Sequence, residues 1–325
     1  LTIPCEMCIR DRRGLQPDAV APLLEGLVAN ADGAVEATAE ALWSPGAPLT
    51  TTGRLATAGM DFATGVGPFE RVSGAVDFTD LLAVRSAPGQ TLRIGRFNPG
   101  LPIDDGDVMF SLPGGLRIAL ESARWPFAGG TLALKPDEWV IGAPRQDLAV
   151  DVIDVDLGRF LELARIPDLT VTGVVNGRFP IVVEDTIARI EGGRLVAEGR
   201  GGTIAYTGPA AQVASQNAGA KLAFDALANL RYRVLEIGVD GPLTGDLSLK
   251  FLFEGANPDL MSGYPLRFNL GATGPFAQLA RSLGGIGARG QAIGEQVRDE
   301  IERQQRQPPA PAPAPPEPAP APPAP

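Results

Sequence analysis

Three short groups of residues have the residue types and the spacing of chemical sites. Gly285-Ile-Gly-Ala-Arg-Gly290 matches the Gly-x-Gly-x-x-Gly pattern of dinucleotide-binding loops. Asp151, Asp154 and Asp156 offer the carboxylate oxygens that Ca²⁺ prefers. Cys5-x-x-Cys8 has the spacing of half a zinc site or of a redox pair. The sequence around each group decides whether it can do that chemistry.

The surrounding sequence favours a structural interpretation of all three groups. The dinucleotide pattern needs a strand before it and a helix within a βαβ unit, whereas here a helical stretch precedes it and a proline-rich tail follows. The three aspartates lack the spacing of a calcium loop and lie on a predicted strand, so we interpret them as a solvated strand face. The cysteine pair cannot complete a four-ligand zinc site, because the chain has no second pair and no histidine.

The lack of histidine also removes the commonest general base and the commonest metal ligand. The sequence contains no Gly-x-Ser-x-Gly nucleophile motif, and its few serines have no activating partner. We therefore predict that the protein is not an enzyme, and that it has no catalytic residues, no metal site and no cofactor.

Composition restricts the class of protein further. Hydrophobic residues make up 44% of the 325 residues, which is enough for a core. The net charge of -10 and the pI near 4.7 argue against a nucleic-acid partner, because phosphate binding needs clustered Lys and Arg. No apolar window of 18 residues and no signal peptide are present. Because the chain opens on Leu1, we expect it to be the C-terminal piece of a longer protein.

The dominant pattern is alternation of apolar and polar residues, which predicts β-strands with one apolar face. It is clearest over residues 169–207, where we expect Glu191-Gly-Gly193 and Gly201-Gly202 to form turns. Roughly ten strands are predicted before this stretch, the last of them over residues 147–156 and followed by a short helix over 157–163. A helix over 209–229 and three further strands are predicted after it.

These patterns divide the chain into five predicted segments. Residues 1–14 resemble a translated sequencing adapter and are expected to be non-native, residues 15–207 form a repeating sheet, and residues 208–274 add a helix and three strands. An interrupted amphipathic helix is predicted over 275–306, followed by a disordered Pro/Ala-rich tail over 307–325. The apolar face of such a sheet can close around its own side chains as an ordinary core, or stay open as a trough for an apolar ligand.

A series of short motifs stands in a fixed order between residues 147 and 283. They are Asp154-Val-Asp-Leu157, Thr172-Gly173-x-x-x-Gly177-x-Phe179-Pro180, Glu191-Gly-Gly-x-Leu-x-Ala197, Gly201-Gly-x-Ile204-x-Tyr206, Ala226-Leu-x-Asn229-x-x-Tyr232, Gly245-Asp-Leu-x-Leu249 and Gly255-x-Asn257-Pro-Asp-Leu260. Their order and spacing resemble the C-terminal region of the YdbH-like proteins, which belong to the AsmA-like group of Gram-negative envelope proteins.

The resemblance implies a mainly β fold, an extended antiparallel, taco-shaped groove with a few short helices. It also implies bridge-like transport of phospholipids across the periplasm, which maintains the lipid barrier of the outer membrane. An N-terminal helix, which we expect to precede this fragment, would anchor the protein in the inner membrane. At the C-terminal end, a small outer-membrane lipoprotein, YnbE-like, would add strands to the sheet. A structural β-repeat protein of the envelope that conducts no lipid is the alternative.

The residues predicted to contact phospholipid acyl chains are the apolar positions of the best alternating strands. They are Val171, Val175, Phe179, Ile181, Val183, Leu247, Leu249, Phe251, Phe253, Tyr264, Leu266, Phe268 and Leu270. The competing interpretation is that these residues form an ordinary sheet core, closed by the two helical stretches.

Overall fold

The computed structural model describes residues 28–64, 66–99, 101–184, 187–197, 199, 201–209, 211, 218–243 and 245–275. Within these ranges the chain forms one antiparallel sheet of 17 strands and two α-helices. The mainly β class predicted from the alternation is therefore confirmed. The helix predicted over 275–306, apart from its first residue, the glycine motif at 285–290 and the proline-rich tail lie outside the described residues.

Ten strands precede the first helix, in agreement with the sequence pattern. They are β1 (Ala29–Leu42), β2 (Thr50–Thr64), β3 (Gly67–Asp80), β4 (Arg85–Ser86), β5 (Gln90–Phe97), β6 (Ile103–Gly114), β7 (Arg117–Phe127), β8 (Gly130–Leu134), β9 (Asp137–Val140) and β10 (Arg145–Asp156). The remaining elements are α1 (Leu157–Leu163), β11 (Leu169–Val171), β12 (Val174–Glu184), β13 (Ile187–Ala197), β14 (Gly202–Tyr206), α2 (Ala218–Leu227), β15 (Leu230–Pro242), β16 (Asp246–Ala256) and β17 (Leu266–Pro275), with a 3₁₀ turn at Met261–Gly263.

The sheet is a meander in which most strands pair with the next one along the chain. The main ladder runs through β1, β2, β3, β5, β6, β7, β8, β10, β12, β13, β15, β16 and β17. The short strands β4, β9, β11 and β14 pair at its margins. Among the described strands, β1 pairs only with β2 and β17 only with β16. The sheet therefore has two edges, one at each end of the described chain.

Antiparallel register places apolar residues of successive strands on one face, which we call the inner face. Across six strands, from β5 to β12, apolar positions stand directly opposite one another in a single row: Leu92, Val108, Ala123, Leu134, Val150 and Phe179. The neighbouring positions Arg93, Asp107 and Arg124 form a charged row on the opposite side, the outer face. Side chains that alternate along each strand thus become two continuous surfaces of opposite character.

Two predicted features of the central stretch are wrong in detail. Residues 191–193 do not reverse the chain, because β13 continues through them. They form a bulge instead: Gly192 has a φ of 67°, the register shifts between Ile190 and Gly193, and Asp240 Oδ1 accepts a hydrogen bond of 2.6 Å from the Gly192 amide. The alternating stretch that begins at residue 169 does not start as one continuous strand, because it is interrupted between β11 and β12. There the Tyr232 hydroxyl donates a 2.6 Å hydrogen bond to the Thr172 carbonyl.

The helix predicted over residues 157–163 is found with those bounds as α1. Asp156 caps it, because its carboxylate accepts a hydrogen bond of 2.9 Å from the Arg159 amide. The helix predicted over 209–229 appears as α2, whose bounds are narrower, while residues 212–217 lie outside the described part of the chain. Both helices follow a strand of the sheet and return the chain to it.

Ion pairs cross the outer face between neighbouring strands. Arg178 and Arg194 stand directly opposite each other, so their like charges need compensation. Asp151 accepts a 2.7 Å hydrogen bond from Arg178, and Lys135 lies 3.5 Å from the same carboxylate. Glu236 accepts two hydrogen bonds, of 2.6 and 2.7 Å, from Arg194. The hydrogen bond from Arg178 lowers the pKa of Asp151, and the one from Arg194 lowers the pKa of Glu236.

These pairs predict that stability depends on pH below neutrality. A carboxyl group with a lowered pKa in the folded state holds fewer protons there than in the unfolded chain, so folding becomes less favourable as pH falls. The contribution of Asp151 and Glu236 is complete above their ordinary pKa values of 3.8 and 4.5, and it is lost as pH falls through the lower folded-state values. Thermal unfolding followed by circular dichroism between pH 7 and pH 3 should show this loss.

Asp151→Asn should lower the melting temperature near neutral pH. It should also make the melting temperature depend less on pH in acid. Asp246→Asn is the matched control, because Asp246 is an exposed residue of β16 that forms no ion pair within the described ranges. A pH profile that is identical for wild type and Asp151→Asn would contradict the role of the outer-face pairs.

Candidate functional site

The inner face continues through the last strands of the sheet, and the predicted apolar residues converge on it. Three apolar rows cross β15, β16 and β17 in direct register. They are Val239, Leu249 and Ala272; Ile237, Phe251 and Leu270; and Leu235, Phe253 and Phe268. On β12, Phe179 and Ile181 stand opposite Val150 and Leu148 of β10. The alternating pattern therefore identified one shared surface on strands that are distant in sequence.

Both helices cover one half of this surface. Leu157 of α1 and Ala223 and Ala226 of α2 belong to the same buried cluster as strand residues of the inner face. We call this group the covered cluster; its other buried members are Ala128, Val152, Val155, Val171, Val175, Ile204, Leu230, Tyr232, Leu235, Phe253 and Phe268. Leu230 and Val175 are 0% and 1% exposed, and the rings of Phe253 and Phe268 stack at 4.9 Å. This half of the face is filled by the protein's own side chains.

The other half of the surface is built from strands alone. We call it the strand cluster; its buried members are Ile181, Ala188, Ile190, Val239, Leu247 and Leu249, all of them on β12, β13, β15 and β16. The residues around it are also apolar and are partly exposed, among them Leu148, Val150 and Val183. Within the described residues, neither α1 nor α2 contributes a side chain to this cluster. Its buried members are only 2–9% exposed, so an apolar ligand could reach them only if part of the surrounding cover moved.

Twelve of the thirteen predicted residues divide between the two clusters, and Tyr264 belongs to neither. Val171, Val175, Phe253 and Phe268 are buried in the covered cluster, and Leu266 and Leu270 pack against it; Ile181, Leu247 and Leu249 are buried in the strand cluster, and Val183 packs against it. Phe179 and Phe251 pack against both. The four residues buried in the covered cluster pack beneath helices, which favours the core interpretation for them. The groove hypothesis depends on the residues of the strand cluster.

The prediction of Tyr264 as part of the last strand is wrong. β17 begins at Leu266, and Tyr264 is 59% exposed after the 3₁₀ turn. Continuing the register would pair Tyr264 with Asn257, but that residue is buried beneath α2, where its side-chain amide donates to the Asp225 carbonyl at 2.8 Å. A left-handed φ of 55° at Ser262 turns the chain before the strand can extend this far.

The set of residues predicted to contact acyl chains lacks their partners on neighbouring strands. Ala188 and Ile190 of β13 complete the strand cluster, and Leu148 and Val150 of β10 border it. The signal was present in the alternation of Leu148, Val150 and Val152 with the aspartates of the same strand. Because of those aspartates, only the polar side of β10 was interpreted from the sequence, as a solvated strand face.

The inner face holds few groups that could do polar chemistry. Among the described residues, no set of three or more His, Cys, Asp and Glu side chains is placed to hold a metal ion. The aspartates of β10 have structural partners: Asp151 pairs with Arg178, Asp154 with Asn176, and Asp156 caps α1. A depression of about 400 Å³ lies on the outer face instead, beside Ser73, Arg93, Asp107 and Ser122 of the strands β3, β5, β6 and β7. The surface that remains suited to a ligand interacts by apolar contact.

Alanine substitutions should separate packed side chains from exposed ones. Phe253→Ala removes a ring that is 4% exposed and stacked on Phe268, so it should lower the free energy of unfolding by about 3–5 kcal/mol. Tyr264→Ala removes an equally aromatic but exposed side chain and should change the free energy by less than about 0.5 kcal/mol. Urea denaturation measures both values. A neutral effect of Phe253→Ala would contradict the packed state of the covered cluster.

Comparison with known proteins gives one match. A family model described as "YdbH-like: Intermembrane phospholipid transport protein YdbH" matches residues 10–304. Searches of curated proteins and of solved structures returned no significant match. The family match spans most of the chain and agrees with the motifs between residues 147 and 283. The chain therefore belongs to the YdbH-like family of intermembrane phospholipid transport proteins.

Proposed function

We propose that the inner face holds the acyl chains of phospholipids while they cross the periplasm between the inner and outer membranes, in a bridge-like manner that maintains the outer-membrane lipid barrier. The family description supports phospholipid transport between membranes. The observation that carries the proposal for this chain is the strand cluster, an apolar surface on four strands to which neither described helix contributes.

Apolar contact is sufficient to hold a lipid on such a surface. Each CH₂ group removed from water contributes about 0.8 kcal/mol, so two acyl chains gain a large free energy without any hydrogen bond. The polar head group remains in water, because burying it without partners would be unfavourable. Leu, Ile and Val side chains present similar surfaces to a chain at each position, so the lipid meets no strongly preferred stop as it moves.

The proposed location is the periplasm, with an anchor in the inner membrane and the C-terminal end towards the outer membrane. The family supports an envelope protein. Neither helix in the described part of the chain has the length and apolarity needed to cross a bilayer. The anchor is proposed from the family resemblance alone, as a helix N-terminal to Leu1.

The proposed partner is a small outer-membrane lipoprotein, YnbE-like, that adds a strand to β17. Only one side of β17 is paired within the described sheet, through β16. Its residues alternate strictly between partly or fully buried Leu266, Phe268 and Leu270 and exposed Arg267 and Asn269. An added strand would find unpaired backbone groups and would extend the inner face by one row.

A scaffold that conducts no lipid is the second candidate, and the covered cluster favours it. Leu230 and Ala226 are both 0% exposed there, so this half of the inner face behaves as a closed core. The two candidates differ at the strand cluster, which must become accessible to an acyl chain in a transporter and stays closed in a scaffold. Experiments on that cluster and its neighbours therefore decide between them.

Phospholipid adducts in cells test the transport proposal. A photo-crosslinking amino acid at position 251 should form adducts with phospholipid, because Phe251 lies on the inner face beside the strand cluster. Position 252 is the matched control, since Leu252 is its neighbour in the chain and faces the outer side opposite Glu236. Mass spectrometry should find several times more lipid adduct at 251 than at 252. Equal labelling, or none at positions 251 and 179, would support the scaffold.

Crosslinking to the lipoprotein tests the proposed strand addition. A photo-crosslinker at Asn269, on the outer face of β17, should capture the co-expressed lipoprotein. Thr38 provides the control, because it lies on the outer face of β1 at the opposite edge of the sheet. Capture at both edges in equal amounts would contradict a specific role for β17.

A further inference from the structure

The hairpin between β2 and β3 contacts a part of the sheet that is remote from it. β2 and β3 are among the longest strands, with 15 and 14 residues, and Val66 lies at the tip between them. Val66 is partly buried and packs against the strand cluster, whose members lie on β12, β13, β15 and β16. The tip therefore touches the surface on which the proposed lipid would lie.

This contact cannot arise between neighbours in the ladder. The strands β5, β6, β7, β8 and β10 separate β3 from β12, the nearest strand of the cluster. Six strand spacings correspond to about 29 Å measured along the sheet. The sheet must therefore curl towards its inner face until the hairpin tip meets the strand cluster from above.

Among the described residues, the polar contacts of the tip lie within the hairpin or with Asn98, which follows β5. Thr64 Oγ1 donates a 3.0 Å hydrogen bond to the Gly67 carbonyl and accepts one of 3.3 Å from the Val66 amide. The Pro68 carbonyl accepts a 3.0 Å hydrogen bond from the Asn98 amide at the end of β5. These bonds shape the tip and leave the Val66 side chain as its contact with the strand cluster.

The covered cluster is held in a different way. The Tyr232 hydroxyl is bonded to the Thr172 carbonyl, and the Asn257 side chain donates to the Asp225 and Ala226 carbonyls of α2 at 2.8 and 3.3 Å. The bonds of Asn257 would be left unpaired if α2 moved away, whereas the bond of Tyr232 joins β15 to the residues between β11 and β12. The hairpin tip makes an apolar contact that an acyl chain can replace with an equivalent one.

We propose that the β2–β3 hairpin tip is a gate that rests on the strand cluster when no lipid is present and is displaced when an acyl chain occupies it. The proposal rests on the proposed function and adds a moving part to it. Seating Val66 keeps the strand cluster out of water in the empty protein, and an acyl chain that takes its place covers the same surface.

The contact between Val66 and the strand cluster is tested with a photo-crosslinker at position 66 in the purified full chain. In detergent-free, delipidated protein, it should link to peptides that contain strand-cluster residues of β12, β13, β15 or β16. Adding vesicles of phosphatidylethanolamine and phosphatidylglycerol should reduce these internal links severalfold and produce lipid adducts at position 66. Internal links that remain constant while position 251 forms lipid adducts would overturn the gate and leave the proposed function intact.

Val66→Asp tests the gate by a second route, because a carboxylate is unfavourable against an apolar cluster. The variant should raise lipid labelling at position 251 severalfold over wild type at the same vesicle concentration. Leu82→Asp is the control, since Leu82 is a 71% exposed residue of the turn after β3 and should change nothing. Circular dichroism checks that both variants fold. If Val66→Asp does not fold, the crosslinks from position 66 in otherwise wild-type protein test the gate.

The two proposals fail in different ways. If no position forms a lipid adduct, both phospholipid binding and the gate are refuted. Lipid labelling at position 251 that is equal in wild type and Val66→Asp, with both folded, refutes the gate alone.

Discussion

The antiparallel register between successive strands is the constraint on which this protein depends. A side chain faces the same way as its partner on the next strand, so a slip of one residue would move a whole strand's apolar set to the outer side. Extra residues are absorbed in bulges, as at Gly192 in β13 and at Asp154, whose φ of 53° accompanies the register shift between β10 and β12. Because of these bulges, the apolar row stays continuous over strands of different length. The outer-face ion pairs form at corresponding positions and support the same register.

A sheet with one continuous apolar face must cover that face, and this chain does so in two ways. The helices α1 and α2 fill one half, where the Asn257 side chain is bonded to α2 and the Tyr232 hydroxyl to the Thr172 carbonyl. Curling of the sheet shields the other half, where strand residues and the tip of one hairpin meet. The first solution contributes stability and excludes a ligand. The second is the surface at which we propose that a lipid replaces part of the cover.

Alternation was enough to predict most of the strands and the face shared by residues as distant as Ile181 and Leu249, and the short helix predicted over 157–163 is found as α1. Local chemistry was less informative, because Gly-Gly after Glu191 suits a turn and a bulge equally well. The partner strands favour the bulge, and so does the hydrogen bond that the Gly192 amide donates to Asp240. Tyr264 continues the alternation of β17, but the turn before it ends the strand. The division into covered and strand clusters could not be predicted, since it depends on where two helices return to the sheet and on how far the sheet curls.

Movement of an acyl chain along this surface requires that no polar group interrupts it. The buried polar residues in the described chain are Thr51, Ser86, Gln90 and Asn257, and none of them belongs to the strand cluster. Gln90 stands opposite Phe110 on the inner face, yet both ends of its amide are bonded to the backbone, to the Asp77 amide at 2.8 Å and the Ala87 carbonyl at 3.0 Å. A side chain satisfied in this way neither attracts a head group nor leaves an unpaired donor beneath a hydrocarbon chain. The strand cluster is therefore apolar throughout, and the hairpin tip that packs on it is the part of its cover that we propose an acyl chain replaces.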